Sequence, residues 1–501
     1  MTLLIALALG LVSAFAFQPY ALWPLMPLAF VGLCELIARA PTMRRTLLLG
    51  WLFSVGQFVV GLNWIATAFT YQAAMPAWLG WVAVVLLSFY LAIYPMLAAG
   101  LAWRFGRDRP VALVLALAGG WAITEWLRAT MFTGFAWNPI GVALVDSQLL
   151  GASRWIGTYG LSALVVLSGG ALWLAWKRAF KPAASIAAAV VAFAFVPTPA
   201  LQPRGEPRPI RIVQPNIGQD VKWEPGFENI ATTRLNDLTR PRAARQELIF
   251  WPEAAVTAPL SDNRPLAAPQ VHAERNATTA EVANGDILLT GGIAIRSRDG
   301  REVSSAANSV FVLGEGGQFV GRYDKAHLVP YGEYLPMRPI LSAIGLSRLA
   351  PGDSDFDAGP GPETLTLPDG WGTAGFQLCY EIIFSGEVVN RANRPDFLFN
   401  PSNDAWFGRW GPPQHLAQAR MRAAEEGIPV IRSTPNGISA LVDGRGRIID
   451  SIPWHRAGII WAELPRPVAA FGPFARFGNV IPLILGFLLI LSAIALGRRR
   501  R

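Results

Sequence analysis

Seven apolar stretches fill the first two hundred residues of the chain, at 2–16, 22–38, 46–69, 78–103, 110–127, 158–176 and 184–198, and an eighth lies at 478–496. Several reach the ~20 residues that cross a bilayer as a helix. The chain is therefore expected to build a multi-span α-helical membrane bundle of about eight spans. Composition agrees, at 52% hydrophobic and only 15% charged, with a mean hydropathy of +0.34. That is too apolar for an ordinary soluble protein. The first stretch has no basic residues ahead of it. Phe15-Ala16-Phe17-Gln18-Pro19-Tyr20 is a poor cleavage site. It is read as a retained span and not as a signal peptide.

The net charge of +9 at first suggests nucleic acid. Its placement says otherwise. Arg39, Arg44 and Arg45 lie between stretches two and three; Arg104, Arg107 and Arg109 follow the fourth. Lys177, Arg178 and Lys181 follow the sixth, and Arg498 to Arg501 follow the last. Loops 17–21 and 70–77 carry no Lys or Arg. The positive-inside rule then puts both termini in the cytoplasm. Seven crossings place 199–477 on the far side, which in a Gram-negative cell is the periplasmic side of the inner membrane. The expected organisation is a bundle at 1–198, a linker at 199–208, a globular domain at 209–470, a span at 478–496 and a basic tail at 497–501. No nucleic-acid partner is expected, because the arginines and the globular domain lie on opposite sides of the membrane.

The connection 128–157 carries Trp137-Asn138-Pro139, read as an interfacial anchor. Glu125 and Arg128 are three residues apart and would face one side of a helix. They mark either a headgroup site or a water-facing end.

The globular part alternates short apolar strands with polar helical windows. Strands are read at 210–214, 247–251, 286–290, 309–313, 397–400 and 429–433, and helices near 226–240, 262–283 and 412–426. Such alternation argues α/β layers. Asp443-Gly444-Arg445-Gly446 reads as a tight hairpin turn. Neither a repeat of fixed period nor a low-complexity tract is seen.

Three strands end on a reactive residue. Phe250-Trp251-Pro252-Glu253 ends in a carboxylate. Tyr323-Asp324-Lys325 puts an ammonium in the following turn. Gly375-Phe376-Gln377-Leu378-Cys379-Tyr380-Glu381 ends in a thiol. Each alone has an ordinary reading: a solvated cap, a surface charge, a buried structural cysteine. Together they supply a base, an oxyanion stabiliser and a nucleophile. The other cysteine, Cys34, lies inside an apolar run, so no disulfide is expected. His272, His327, His415 and His455 show no metal-ligand spacing, so neither a metal nor another cofactor is implied.

These stretches resemble the nitrilase (carbon–nitrogen hydrolase) superfamily, whose catalytic trio is Glu, Lys and Cys. The words Trp251-Pro252-Glu253, Asp324-Lys325-Ala326-His327-Leu328-Val329-Pro330 and Cys379-Tyr380-Glu381 carry the likeness. With the N-terminal spans and the final one, the whole chain resembles the apolipoprotein N-acyltransferase family. Gln214-Pro215-Asn216-Ile217, Val221-Lys222-Trp223, Pro330-Tyr331-Gly332-Glu333-Tyr334-Leu335-Pro336 and Ser402-Asn403-Asp404-Ala405-Trp406-Phe407-Gly408 agree with it. The resemblance implies an αββα sandwich with Glu253, Lys325 and Cys379 as catalytic residues. It also implies a ping-pong acyl transfer. A phospholipid would give its sn-1 chain to Cys379, and a diacylated apolipoprotein would accept it on the amino group of its first cysteine. Glu333 would orient Lys325 or assist proton transfer. Glu381 is read as shaping the nucleophile turn. Tyr380, Trp223 and Trp406 are read as pocket wall, with core packing as probable for the tryptophans.

Residues 337–350 are apolar with two arginines, and are read as an interfacial arm beside the Lys325 loop in preference to a core helix. A monomer is expected. Two rival functions share parts of this pattern. A membrane-anchored nitrilase or amidase acting on a small periplasmic substrate shares the trio. A transporter or lipid-binding protein with a degenerate domain shares the spans, but a relic has no reason to keep all three residues.

Overall fold

The computed structural model describes residues 1–501 apart from 72–75, 204–205, 207, 219–226, 241–244, 344–354 and 499–501. Among the described residues four helices are long and apolar enough to cross a membrane: Trp78–Gly106, Pro110–Thr130, Gln148–Trp176 and Val480–Gly497. A fifth candidate is the pair Met43–Gly61 and Ile65–Tyr71, bent by 49°. Thr2–Ala16, Leu25–Ala38 and Phe180–Ala194 are apolar but have only 10–17 residues. By length and composition the described residues thus hold four or five candidate spans, where about eight were expected. The reason lies in the length and punctuation of the apolar runs. Pro24 precedes the second helix, so the run 22–38 is longer than the helix Leu25–Ala38 it holds, while the runs 2–16 and 184–198 are themselves short. A 14-residue helix such as Leu25–Ala38 rises ~21 Å, short of a ~30 Å hydrocarbon core.

The two ends of the bundle differ in chemistry. At one, Arg45 donates to Thr2 Oγ1, Arg39 and Lys177 both pair with Glu35, and Arg109 donates to the Leu496 carbonyl near the end of the last helix. The other end docks on the α/β part. There Trp137 is fully buried and its Nε1 donates to Gln414 Oε1 at 2.8 Å. The expected interfacial anchor is thus an interdomain contact. Glu125 and Arg128 brace the same connection. Glu125 Oε1 accepts from the Ile140 N–H, and Arg128 Nη1 donates to the carbonyls of Phe135 and Trp137, each at 2.9 Å.

Among the described residues thirteen strands build the α/β part. In chain order they are β1 (Pro209–Gln214), β2 (Leu248–Phe250), β3 (Pro259–Asp262), β4 (Ile287–Arg296), β5 (Ser305–Leu313), β6 (Phe319–Asp324) and β7 (Thr364–Leu367). Then follow β8 (Gly372–Phe376), β9 (Phe397–Pro401), β10 (Val430–Ser433), β11 (Ser439–Val442), β12 (Ile448–Ile452) and β13 (Gly458–Glu463). One sheet runs β13-β1-β2-β4-β5-β6, with β3 paired to β4; the other runs β12-β11-β10-β9-β8-β7. Each has a parallel centre, β1-β2-β4 and β8-β9-β10. The hairpin expected at Asp443–Gly446 joins β11 to β12.

Alternation along the strands makes the layers. Ile210, Ile212, Phe250, Leu289 and Val310 of the first sheet meet Phe376, Phe397, Phe399, Ile431 and Leu441 of the second in one core. The opposite parity of the first sheet, Val213, Ile249, Leu288 and Phe311, packs with Leu235 of the helix Phe227–Thr239. That of the second, Leu398, Val430, Ala440 and Val442, packs with helix Gly411–Glu426 and the membrane bundle. The result is a nitrilase-like αββα sandwich whose second helical layer lies between a sheet and the bundle.

Candidate active site

Chain ends of three strands deliver the trio, as carboxyl ends of strands deliver ligand-binding groups in open α/β sheets generally. Glu253 follows β2, Lys325 follows β6 and Cys379 follows β8. Glu253 is set by a turn pressed onto β4. A Cβ at Gly291 would come within 2.6–2.7 Å of the backbone of Pro252, Glu253 and Ala254, so only glycine admits this turn. The Gly291 N–H donates to the Pro252 carbonyl at 3.2 Å.

Cys379 opens the short 3₁₀ turn Cys379–Ile383 with φ +49°, in the left-handed region that a side chain disfavours. Strain of this kind, about 1–3 kcal/mol, persists only where neighbours hold it. Glu381 is one such neighbour. Its Oε2 accepts from the Leu378 N–H at 2.7 Å, and its Oε1 accepts from Ala326 N–H (2.7 Å), His327 N–H (3.0 Å) and Tyr323 Oη (2.9 Å). One carboxylate thus ties the residue before the nucleophile to the two after Lys325. Burial pushes this carboxyl up, to about 7, against the pull of its N–H donors.

Lys325 is buried with carboxylates on two sides. Its Nζ lies 2.9 Å from Glu333 and 3.6 Å from Glu253. Burial opposes the charge, but Glu333 and Glu253 more than offset it, so the ammonium is held well above its ordinary range. Asn308, on β5, joins the two carboxylates: its Nδ2 donates to Glu253 Oε1 at 2.8 Å and to Glu333 Oε1 at 2.9 Å. Glu333 Oε2 accepts from the Val329 N–H at 2.8 Å. The Cys379 thiol is raised well above its ordinary range by burial first, then by Glu253 and Asp404, while Lys325 pulls the other way. A thiol held protonated requires a base to release it, and Glu253 is the carboxylate that acts most on it.

Tyr380 is buried, its hydroxyl donating to the Gly134 carbonyl at 3.2 Å, which joins the nucleophile turn to the bundle. Trp406 is half-buried and edge-on to Tyr71, with ring centroids 5.9 Å apart. Trp223 lies outside the described residues, as do 344–350 of the expected arm; its first part is a short helix at Arg338–Ala343. Arg338 pairs there with Asp355.

Sequence reasoning passed over Asn308 and the buried set Asp404, His415 and Arg432. Asn308 sits within a strand and no local word announces it. Asp404 lies in the quoted stretch Ser402–Gly408, just past the end of β9, and that placement at a fourth strand end was the signal available.

Residues 9–171 match the apolipoprotein N-acyltransferase N-terminal domain family, and residues 210–471 match the carbon–nitrogen hydrolase family. Together they span well over half of the chain. The chain belongs to the apolipoprotein N-acyltransferase family. The enzyme of that name from Rhizobium rhizogenes is 34% identical over 489 residues, covering 92% of this chain and 89% of that protein. Those from Sinorhizobium fredii and Brucella melitensis are 34% and 36% identical, covering 97% and 91% of this chain and 94% and 86% of theirs.

Proposed function

We propose that this chain transfers the sn-1 acyl chain of a phospholipid, through a thioester on Cys379, to the N-terminal α-amino group of diacylglyceryl-cysteine on apolipoproteins. The observation that carries the reading is the placement of the Glu253–Lys325–Cys379 cluster beside the membrane bundle, within a chain of this family. In the first step Glu253 takes the thiol proton as Sγ attacks the ester carbonyl. Lys325 and the Tyr380 N–H stabilise the oxyanion, at about 3–4 kcal/mol per donor. Collapse expels the lysophospholipid alkoxide, which takes the proton from Glu253. In the second step the amine attacks the thioester carbonyl, its proton passes to Glu253, and the Cys379 thiolate leaves and is reprotonated. Glu333 and Asn308 keep Lys325 and Glu253 in place for both steps.

The reading includes an inner-membrane monomer with residues 199–477 on the periplasmic side. Support comes from the basic groups, which gather at the end of the bundle away from the α/β domain. A thiol reagent that cannot cross the inner membrane should reach Cys379, after hydroxylamine treatment, in cells with a permeabilised outer membrane. Cys34, buried in the bundle, should stay unlabelled. Labelling of Cys379 only after the inner membrane is broken would place the domain in the cytoplasm.

The rival amidase reading makes a different product. Purified protein given phospholipid alone should release one lysophospholipid per enzyme and then stop. A diacylated lipopeptide should restart release. Hydrolysis of small amides without any lysophospholipid would favour the rival.

A further inference from the structure

Helix Gly411–Glu426 lies between the second sheet and the bundle, and most of its polar residues are buried. Among them His415 has no solvent exposure. Its Nε2 lies 3.0 Å from the carbonyl oxygen of Cys379. A carbonyl only accepts, so Nε2 carries the proton. Nδ1 then faces the Arg432 Nη2 at 3.1 Å as its acceptor. Asp404 Oδ1, 3.0 Å from Nδ1, accepts from the same Nη2 at 2.7 Å. Arg432 and Asp404 are also fully buried. Arg432 Nη1 donates to Asn400 Oδ1 and to Ser402 Oγ at the end of β9. The imidazole is thus fixed in position and in tautomer. Its other faces meet Phe407 of the α/β domain, 5.8 Å away, and Trp137 of the bundle, 5.2 Å away, and Trp137 packs in turn on Trp64 at 4.3 Å.

The bond from His415 lands on the peptide unit that joins Cys379 to Tyr380. In a trans peptide the C=O and N–H point in opposite directions. Fixing the Cys379 carbonyl therefore fixes the Tyr380 N–H. Tyr380 is the second residue of the turn Cys379–Ile383, so its N–H has no partner within that turn. It is the backbone donor available to an oxyanion forming at Cys379. The strained φ of +49° at Cys379 makes this peptide the one most in need of an external hold.

The geometry points to His415 as a positioning residue that, held by Arg432, which Asp404 fixes in turn, aims the Tyr380 N–H at the oxyanion and so speeds both acyl-transfer steps. It rests on the acylation of Cys379 proposed above. His415 touches no reacting atom. Through Trp137 it also makes the aim of this donor depend on how the α/β domain seats on the bundle.

The role predicts a split between two reactions of the same thiol. Acylation by phospholipid builds an oxyanion; alkylation by iodoacetamide does not. In detergent micelles with dioleoyl phosphatidylethanolamine, His415→Leu should slow Cys379 acylation by about 10- to 100-fold. Alkylation should stay within about threefold of wild type, since that displacement depends on the thiolate alone. His415→Gln places an amide N–H near the position of Nε2 and should recover most of the acylation rate. Should the leucine variant fail to accumulate, His415→Asn takes its place. Its shorter amide stays near Arg432 and cannot reach the Cys379 carbonyl, so the same split is expected. Equal loss of acylation and alkylation would reduce His415 to packing and overturn the inference. So would wild-type acylation in the leucine or asparagine variant, or a glutamine variant no better than either. Absence of acylation in the wild-type protein, with normal alkylation, would instead overturn the function itself.

Discussion

Cys379→Ala is expected to abolish lysophospholipid release and lipopeptide acylation together, because no thioester can form. Cys379→Ser is expected to fall below about a thousandth of wild type, as in other sites whose groups act as a unit. The reason is the base. In the wild-type site burial and Glu253 hold the thiol above its ordinary range, and Lys325 pulls it back only in part. Even raised, a thiol starts from an ordinary value of ~8.5 and stays within reach of a positioned carboxylate as the sulfur bonds to carbon. An alcohol sits far higher and lies beyond a carboxylate without an imidazole between them. The fold should survive either change, since Cys379 is held through its backbone and by the Glu381 clamp. Release of lysophospholipid at the wild-type rate by Cys379→Ser would mean that acyl transfer does not pass through residue 379 as a thioester.

Lys325→Arg is expected to lower the first-turnover acylation rate by at least about 100-fold, the range for loss of an oxyanion donor. Charge is preserved in this variant, so the loss tests geometry. The ammonium is a compact point, buried, 2.9 Å from Glu333 and 3.6 Å from Glu253. A guanidinium is longer and forked, and would engage both carboxylates bidentately while turning away from the oxyanion. Lys325→Met is the complementary case. It leaves Glu253 and Glu333 buried around one Asn308 amide with no cation. Breaking such a pair costs about 3–5 kcal/mol unless a proton is taken up. Thermal unfolding in detergent should therefore shift down for Lys325→Met and little for Lys325→Arg. Full acylation activity in Lys325→Arg would mean that residue 325 supplies only diffuse positive potential.

What was legible in the sequence was local. The ends of β2, β6 and β8 each carry their reactive residue within three residues of an apolar strand, so Glu253, Lys325 and Cys379 could be read as strand-end groups. Alternation of strands and helices argued α/β layers, and the order of the layers came with the family resemblance. What could not be read were contacts between elements far apart in the chain. Asp404, His415 and Arg432 lie on a turn, a helix and a strand, and no spacing rule joins them. Asn308 gains its meaning only when β5 passes beneath the turns of Glu253 and Glu333. Hydropathy alone also gave more spans than helix length supports. An apolar run measures composition, whereas a span needs a long helix, and the runs 22–38 and 184–198 hold helices of 14 and 15 residues. Trp137 misled for a related reason: an aromatic at the edge of an apolar run marks a boundary, and here the boundary is with protein.

The central claim is that Cys379 carries the acyl chain. The direct measurement is the intact mass of the purified full-length protein after brief exposure to phospholipid without a lipopeptide acceptor. The account predicts one added acyl group, mapped to Cys379, removed by neutral hydroxylamine and lost when a diacylated lipopeptide is added. An unmodified chain under conditions that still yield triacylated lipopeptide, or an acyl group that maps to any residue other than Cys379, would contradict it.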